Sequence, residues 1–451
     1  MRKFLLFWGD VAFLYLALFL TLLVRYGYGP VYAANLDIHL MPFSLIFAVW
    51  ALVFYTANLY EIGLAKNRLE FYSAYFYSFI INALIAIVFF YFVPFFKITP
   101  RTNFFIFLAW GLVLLTGWRF FFNGLIAKGS SRNNTLILGL SPQSQELYDY
   151  LLANPQLGYK ALGIIDVEHE NAPNALQEII RQKKVSILIL GPAAYKISRI
   201  IDILYGFLGL GIRYYDLSDF YERVSGKVPV GAIDQTWFLE NLSEGGKRGY
   251  EIAKRIWDLV LAVAIGAVIL PFYPLIMLAI RLDSPGPAFI RQKRIGKAGK
   301  IFILVKFRNM IANSPDGSAE GLTGPVWASE DDSRVTRVGK FLRRSRIDEL
   351  PQIWNVLRGE MSFIGPRPER PEFHGKLKEQ IPFYDERYLV KPGLTGWAQV
   401  KYRLDFRAGL TIQDTLEKLQ YDLFYIKNRS LLLDLGIILK TASIILKKIF
   451  H

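Results

Sequence analysis

The chain has 451 residues, no cysteine and four scattered histidines (His39, His169, His374, His451), which excludes disulfides, thiolate metal sites and a zinc-ligand cluster. It is 53% hydrophobic and 15% aromatic, with a mean hydropathy of +0.27, more apolar than a soluble protein of this length. A net charge of +15 calls for an anionic partner, and the basic residues lie beside apolar runs, so lipid headgroups and phosphate substrates fit better than nucleic acid. Any metal is expected to be oxygen-bound, such as Mg²⁺.

Four apolar runs open the chain, Phe4 to Val24, Met41 to Tyr60, Tyr75 to Phe96 and Phe104 to Phe122, each about long enough to cross the hydrocarbon. No small-residue cleavage site follows the first run, so a cleaved signal peptide is not expected. Arg2, Lys3, Lys66, Arg68, Arg119, Lys128 and Arg132 on one set of flanks outnumber Arg25, Lys97 and Arg101 on the other. This asymmetry predicts a cytoplasmic amino terminus and returns the chain to the cytoplasm after four spans.

From Asn134 to about Asn241 the pattern changes. Thr135 to Gly139, Leu162 to Asp166 and Val185 to Leu190 read as buried strands, with a helix from Gln143 to Leu152, which predicts a small parallel α/β domain of Rossmann type over 133–242. Its first turn, Gly139-Leu140-Ser141-Pro142-Gln143-Ser144, keeps one glycine of the dinucleotide fingerprint and places side chains where a pyrophosphate needs bare backbone. A structural or regulatory domain is expected, not an NAD site.

Ile256 to Ile280 is apolar enough for a fifth span, yet Lys247, Arg248, Lys254 and Arg255 precede it and Arg281, Arg291, Lys293, Arg294, Lys297 and Lys300 follow it. Either orientation would send a strongly positive flank outward, and Pro271 and Pro274 interrupt the run, so a re-entrant hairpin over 254–281 is expected, with a kinked true span as the alternative. Beyond it, Phe289 to Lys293 and Ile301 to Lys306 read as two short strands. Asn313 to Glu330 reads as a surface loop, and Val335 to Arg346 as a basic segment.

That segment ends in Arg343-Arg344-Ser345-Arg346-Ile347-Asp348-Glu349-Leu350-Pro351-Gln352, followed by Gly365-Pro366-Arg367-Pro368-Glu369. Two adjacent carboxylates among arginines suit phosphate chemistry, because arginines grip phosphoryl oxygens bidentately while a carboxylate binds Mg²⁺ or attacks phosphorus. The competing reading is a solvated charged helix. Leu350, Ile353, Trp354 and Val356 hem the charges in and favour chemistry. Pro382 to Pro392 reads as loop and Thr415 to Ile426 as helix. The apolar tail from Leu431 to Phe450 reads as an interfacial helix, with a core helix equally open.

Arg344 to Gln352, Met361 to Glu369 and Lys391-Pro-Gly-Leu-Thr-Gly-Trp-Ala-Gln-Val400, with Lys306-Phe-Arg-Asn-Met310 and Lys418-Leu-Gln-Tyr-Asp422, resemble the monotopic polyprenyl-phosphate phosphoglycosyl transferases. With four spans and a Rossmann-like middle, the chain is similar to the long-form members that initiate exopolysaccharide or O-antigen synthesis. The resemblance implies a membrane protein of mixed class: four transmembrane helices (1–125), a non-catalytic α/β domain, and a mainly α, α+β catalytic domain (247–451) with a re-entrant helix, facing the cytoplasm from the bacterial inner membrane. A homodimer is the expected assembly.

By the same resemblance, Asp348 is the nucleophile that takes a phosphosugar from a UDP-sugar, releases UMP and passes the group to polyprenyl phosphate. Glu349 holds Mg²⁺ and Arg367 contacts substrate phosphate. Lys306, Arg308 and Arg343 are assigned to substrate phosphate as well, the alternative for each being an exposed cation near the membrane. The rival functions are a membrane-anchored nucleotide-sugar dehydratase or epimerase and a non-enzymatic lipid-binding scaffold. The dehydratase or epimerase needs an intact glycine fingerprint and a Tyr-x-x-x-Lys pair inside the α/β domain, whereas Tyr250 and Lys254 fall beyond it. The identity of the sugar is not written in the sequence.

Overall fold

A computed structural model describes residues 2–61, 67, 69–92, 101–128, 133–242, 247–314, 317, 319, 332–402 and 411–450. The loop expected over 313–330 falls mostly outside these residues. The chain divides into two compact units, Met1–Leu217 and Ser218–His451.

The first unit opens with four helices, α1 (Arg2–Tyr26), α2 (Pro30–Thr56), α3 (Leu69–Phe92) and α4 (Arg101–Lys128), each containing a stretch long and apolar enough to cross a membrane. The second is longer than its apolar run because Pro30 stands in its first turn, where the missing N–H costs nothing, and the helix continues through the more polar residues before Met41. Leu14, Leu18, Phe43, Trp50, Phe54 and Phe107 fill the centre of the bundle. Among them is a fully buried ion pair. Arg119 of α4 donates from Nε (3.0 Å) and Nη2 to the Asp10 carboxylate of α1, and from Nη1 to the Leu59 carbonyl.

A parallel sheet in the order β2-β1-β3-β4 follows, from β1 (Asn133–Leu138), β2 (Tyr159–Ile165), β3 (Ile187–Leu190) and β4 (Arg213–Asp216). Helices α5 (Pro142–Ala153), α6 (Ala172–Gln182) and α7 (Ser198–Gly206) connect them. Every residue of β3 is buried, as expected of a parallel strand covered on both faces. Ser141 caps α5 by accepting from the Ser144 amide, so the first turn is closed by side chains.

The expected domain boundary at 242 gives way to one at 217. Helices α8 (Leu217–Ser225, from Ser218 onward) and α9 (Gln235–Asn241) belong to the second unit. There Val228, Val230 and Trp237 join a core with Ile364, Tyr384, Trp397, Leu419 and Ile426. The Val228 amide bonds the Gln420 carbonyl at 3.0 Å. An apolar pattern predicts burial but does not name the core that receives it.

The second unit then runs through α10 (Arg248–Ile269), a 3-10 turn over Leu270–Phe272, and α11 (Tyr273–Asp283). Pro271 and Pro274 each stand in the first turn of the segment they open, where a missing N–H is tolerated, and Arg248–Asp283 as a whole is long and apolar enough to cross a membrane. An antiparallel hairpin, β5 (Phe289–Ile295) and β6 (Ile301–Phe307), follows, and its Phe302 and Leu304 pack with Ala262 of α10. Next come α12 (Arg337–Ser345), α13 (Ile353–Arg358), β7 (Ser362–Ile364), α14 (Pro371–Gln380), β8 (Gly393–Thr395), α15 (Trp397–Lys401), α16 (Ile412–Asn428) and α17 (Leu431–Phe450). The tail packs on the unit along one face. Asp434, Ile437 and Lys440 are buried against the unit, while Leu431, Leu432 and Leu435 are exposed.

Removing one partner of a buried ion pair strands the other charge, at a cost of about 3–5 kcal/mol. Asp10→Ala should therefore lower the melting temperature of the detergent-solubilised protein markedly. The double change Asp10→Leu with Arg119→Leu should recover most of the loss, as read by intrinsic tryptophan fluorescence.

Candidate active site

The site is built where α12 stops. Thr336 caps this helix by accepting from the Gly339 amide, and Gly339 lies so close to Asn309 that a Cβ there would strike its backbone. Arg346 ends the helix in the left-handed region (φ 59°), and the chain turns at once into a 3-10 segment, Ile347–Gln352, carrying Asp348 and Glu349. A non-glycine residue in that conformation costs about 1–2 kcal/mol, and it turns the two carboxylates in different directions.

Asp348 points inward and is 6% exposed. Its Oδ2 accepts from Asn309 Nδ2 at 2.6 Å, while Oδ1 is buried with no hydrogen-bond partner among the described residues. Burial pushes its pKa up to about 6 and the charge of Glu349 adds to the rise, whereas Lys306 and the Asn309 bond act against it. Lys306 lies on β6, the strand packed along this turn. Burial brings its pKa down to about 8, with Asp348 as the main opposing charge.

Glu349 is bound on both oxygens, by Arg346 Nη1 at 3.2 Å and Arg367 Nη2 at 2.9 Å. Burial alone would raise its pKa, but Arg367 and Arg346 outweigh it and bring the value down to about 2. Two neighbouring carboxylates thus differ in kind. Glu349 stays anionic throughout the useful pH range, and Asp348 carries a free, poorly solvated oxygen.

Arg367 stands between Pro366 and Pro368 with its side chain 56% exposed beside Glu349. Its turn is pressed against the Lys391-to-Trp397 motif, where a Cβ on Gly365 would strike the Lys391 carbonyl and one on Gly396 the Gly365 carbonyl. Both motifs therefore need glycine for close backbone approach. From behind, Arg387 Nη2 donates to the Arg367 carbonyl at 3.1 Å and to Asp422 Oδ2 at 2.9 Å.

Sequence reasoning put Asp348, Glu349, Arg367 and Lys306 in one centre, and the fold brings all four there. Arg308 lies elsewhere. Only 1% exposed, it donates to the carbonyls of Ser284 (2.6 Å), Ile280 (3.3 Å) and Pro285, capping the end of α11 instead of facing a phosphate. Arg343, half-buried on the last turn of α12, makes no hydrogen bond to Asp348 or Glu349 among the described residues. Its charge helps to lower the Asp332 pKa, after the stronger effect of Arg334. Asn309, Arg346 and Asp422 were inside the quoted motifs without a role. Arg387 fell in a stretch read as loop, where only its position between two tyrosines marks it.

Among the described residues no group of three or more His, Cys, Asp or Glu side chains is placed to hold a metal. Glu349 is the carboxylate left for a cation such as Mg²⁺, and with Arg346 and Arg367 on its two oxygens it would have to share or exchange one of these bonds, the rest of the shell coming from water and substrate phosphate.

This geometry can be set beside known proteins. A bacterial sugar transferase family model matches residues 249–448, and a model described as a CoA-binding domain matches 56–204. A UDP-glucose:undecaprenyl-phosphate glucose-1-phosphate transferase of Xanthomonas campestris pv. campestris is 33% identical over 344 residues, covering 72% of this chain and 69% of that one. The chain belongs to the bacterial sugar transferase family. The family match encloses Lys306, Asp348, Glu349 and Arg367. A UDP-N-acetylgalactosamine-undecaprenyl-phosphate N-acetylgalactosaminephosphotransferase of Aeromonas hydrophila is 40% identical over 239 residues, so the chain spans about half its length, 52%. A putative undecaprenyl-phosphate N-acetylgalactosaminyl 1-phosphate transferase of Bacillus subtilis is 47% identical over 146 residues, 78% of that protein and 32% of this family member.

The folded pKa of Asp348 lies above its ordinary 3.8, so its ionisation costs the fold progressively as pH rises from there toward 6. Infrared difference spectra of Asp-labelled protein should show this carboxyl titrating near pH 6. Asn309→Ala removes a bond to the anion and should move the midpoint upward. An unmoved midpoint would take Asn309 out of the pKa argument.

Proposed function

We propose that this protein transfers a sugar 1-phosphate from a UDP-sugar to undecaprenyl phosphate, releasing UMP and starting a polysaccharide on its lipid carrier. The observation that carries the reading is the division of labour in the pair: an unpaired buried oxygen on Asp348 beside Lys306, and an anion on Glu349 clamped by Arg346 and Arg367. The relatives named above supply the substrate classes.

Asp348 Oδ1 attacks the β-phosphorus, and the bond from that phosphorus to the bridging oxygen breaks with its electron pair leaving on UMP. A lipid phosphate oxygen then attacks the same phosphorus and Asp348 is released as carboxylate. Arg367, exposed and stiffly mounted, binds the diphosphate through its planar fork. Lys306 holds charge beside the nucleophile. Glu349 is the residue that would hold Mg²⁺, whose charge would offset that of the diphosphate. A dehydratase or epimerase reading is disfavoured because Tyr250 and Lys254 both bond Asp434 on α17 and lie outside the α/β sheet.

The lipid acceptor requires this centre at the membrane surface, with α10 and α11 as a re-entrant hairpin on the cytoplasmic side. Ala262 is buried against β6, and the bend comes eight residues later at Leu270, about 12 Å of helix against about 30 Å of hydrocarbon. Ile280, near the end of α11, is buried with Phe307 of β6, which supports a run that comes back to the same unit.

Incubation with UDP-sugar labelled in the β-phosphate, without lipid acceptor, should release stoichiometric UMP and leave label on the chain. Asp348→Asn should abolish both. Label transfer only when both substrates are present, with Asp348→Asn still active, would replace the covalent route by direct transfer. Single cysteines placed at Lys247 and Lys300 should both resist an impermeant thiol reagent in intact cells, and labelling at Lys300 would make the hairpin a true span.

A further inference from the structure

The pair Tyr250 and Lys254, which the transfer reaction leaves without a task, belongs to a buried polar network at the foot of the hairpin. Lys254 Nζ donates to Asp434 Oδ2 (2.8 Å) and to the Tyr425 hydroxyl (3.1 Å), and the Tyr250 hydroxyl donates to Asp434 Oδ2 (2.8 Å). Tyr425 stands at 2.9 Å from Asp434 Oδ1 and 3.3 Å from the Ile364 carbonyl on β7. One helical turn beyond Lys254, Asp258 Oδ1 accepts from Ser362 Oγ (3.1 Å) and from the Phe363 amide (3.0 Å), both on β7. Ser362 Oγ in turn accepts from the Ile364 amide at 3.2 Å.

The strand gripped in this way ends at Ile364, three residues before Arg367. The same face of α10 also holds the other half of the centre. Arg255 donates to the Val356 and Leu357 carbonyls at 2.6 and 2.8 Å, at the end of α13, the helix that begins directly after the turn carrying Asp348 and Glu349. A short strand such as β7, with three residues and one parallel neighbour, has little of its own to fix its position. Asp258 presents a charged acceptor to two of its donors at once, a strong and directional tether.

We propose that Asp258 is a positioning residue of the transfer reaction: from the membrane hairpin it sets β7, and through β7 the place of Arg367 opposite Glu349. Ser362 relays this tether, and the Tyr250, Lys254, Tyr425 and Asp434 network fixes the arm against α16 and α17. The hairpin is then part of the catalytic frame as well as its anchor. This inference rests on the reading of Arg367 as the diphosphate contact.

The test is a double-mutant cycle in nanodiscs with the full chain, measuring UMP release against UDP-sugar concentration. Asp258→Asn should raise KM for the UDP-sugar and lower kcat/KM by about 10- to 100-fold, as expected when a phosphate contact is displaced by about 1 Å. Arg367→Lys should lower kcat/KM by itself. In the Arg367→Lys background the further loss from Asp258→Asn should shrink to less than about threefold, because the group it positions has already lost its fork. Equal losses in both backgrounds would make Asp258 a structural residue and overturn the proposal. So would unchanged kinetics in Asp258→Asn. Should Asp258→Asn fail to accumulate as folded protein, Ser362→Ala, which keeps the bond to the Phe363 amide, carries the same cycle and the same criteria. Normal kinetics in Arg367→Lys alone would instead remove the phosphate role of Arg367, a failure of the functional reading visible before the cycle is closed.

Discussion

Glu349 ties together two segments that lie 18 residues apart in the chain, by an ion pair to Arg346 on its own turn and another to Arg367 on the Pro-Arg-Pro turn. The arrangement of the centre depends on this bridge. Arg346 is in a costly left-handed conformation, and Arg367 stands on a turn whose backbone Arg387 holds from behind but whose side chain is exposed. A carboxylate shared by two guanidinium groups is one of the few interactions strong enough to hold both. It also sets the chemistry of the neighbour. With Glu349 saturated as an anion, its charge and the surrounding burial leave Asp348 less willing to ionise and its oxygen more reactive once it has done so.

Behind the bridge, the unit is braced by polar groups in places where apolar packing would be expected. Arg387 and Asp422 hold the Arg367 carbonyl from below, Arg308 closes α11, and Arg255 closes α13. Each of these cations satisfies backbone carbonyls that a helix end or a turn leaves without partners, and burying them unpaired would be costly. The precision of the site comes from hydrogen bonds to the main chain, and the many arginines of the sequence divide between that task and substrate charge. An arginine near a motif is therefore ambiguous until its partners are known, as Arg308 illustrates.

Legibility followed the same line. The four apolar helices, the parallel sheet and the β5–β6 hairpin were readable because periodicity and run length report burial directly. Asp348, Glu349, Arg367 and Lys306 were readable as a set because several motifs at compatible spacing resemble one family. The role of Asn309 was not, since nothing in Lys-Phe-Arg-Asn-Met says which side chain faces the acid pair; its bond to Asp348 forms only where the chain, past the end of β6, meets α12 at Gly339. The allegiance of residues 218 to 242 was hidden for a similar reason. Val228 and Trp237 are as apolar as any core residue of the α/β sheet, and only the long-range pairing of Val228 with Gln420 reveals their true neighbours.

The buried pair of Asp10 and Arg119 carries a consequence for how the chain is made. Its partners are separated by 109 residues, on the first and fourth apolar helices. Synthesis delivers Asp10 long before Arg119. Until α4 arrives, α1 carries a carboxylate without the cation that it is buried against in the finished bundle. The first helix is thus metastable by itself, and completion of the fourth is the event that seats it.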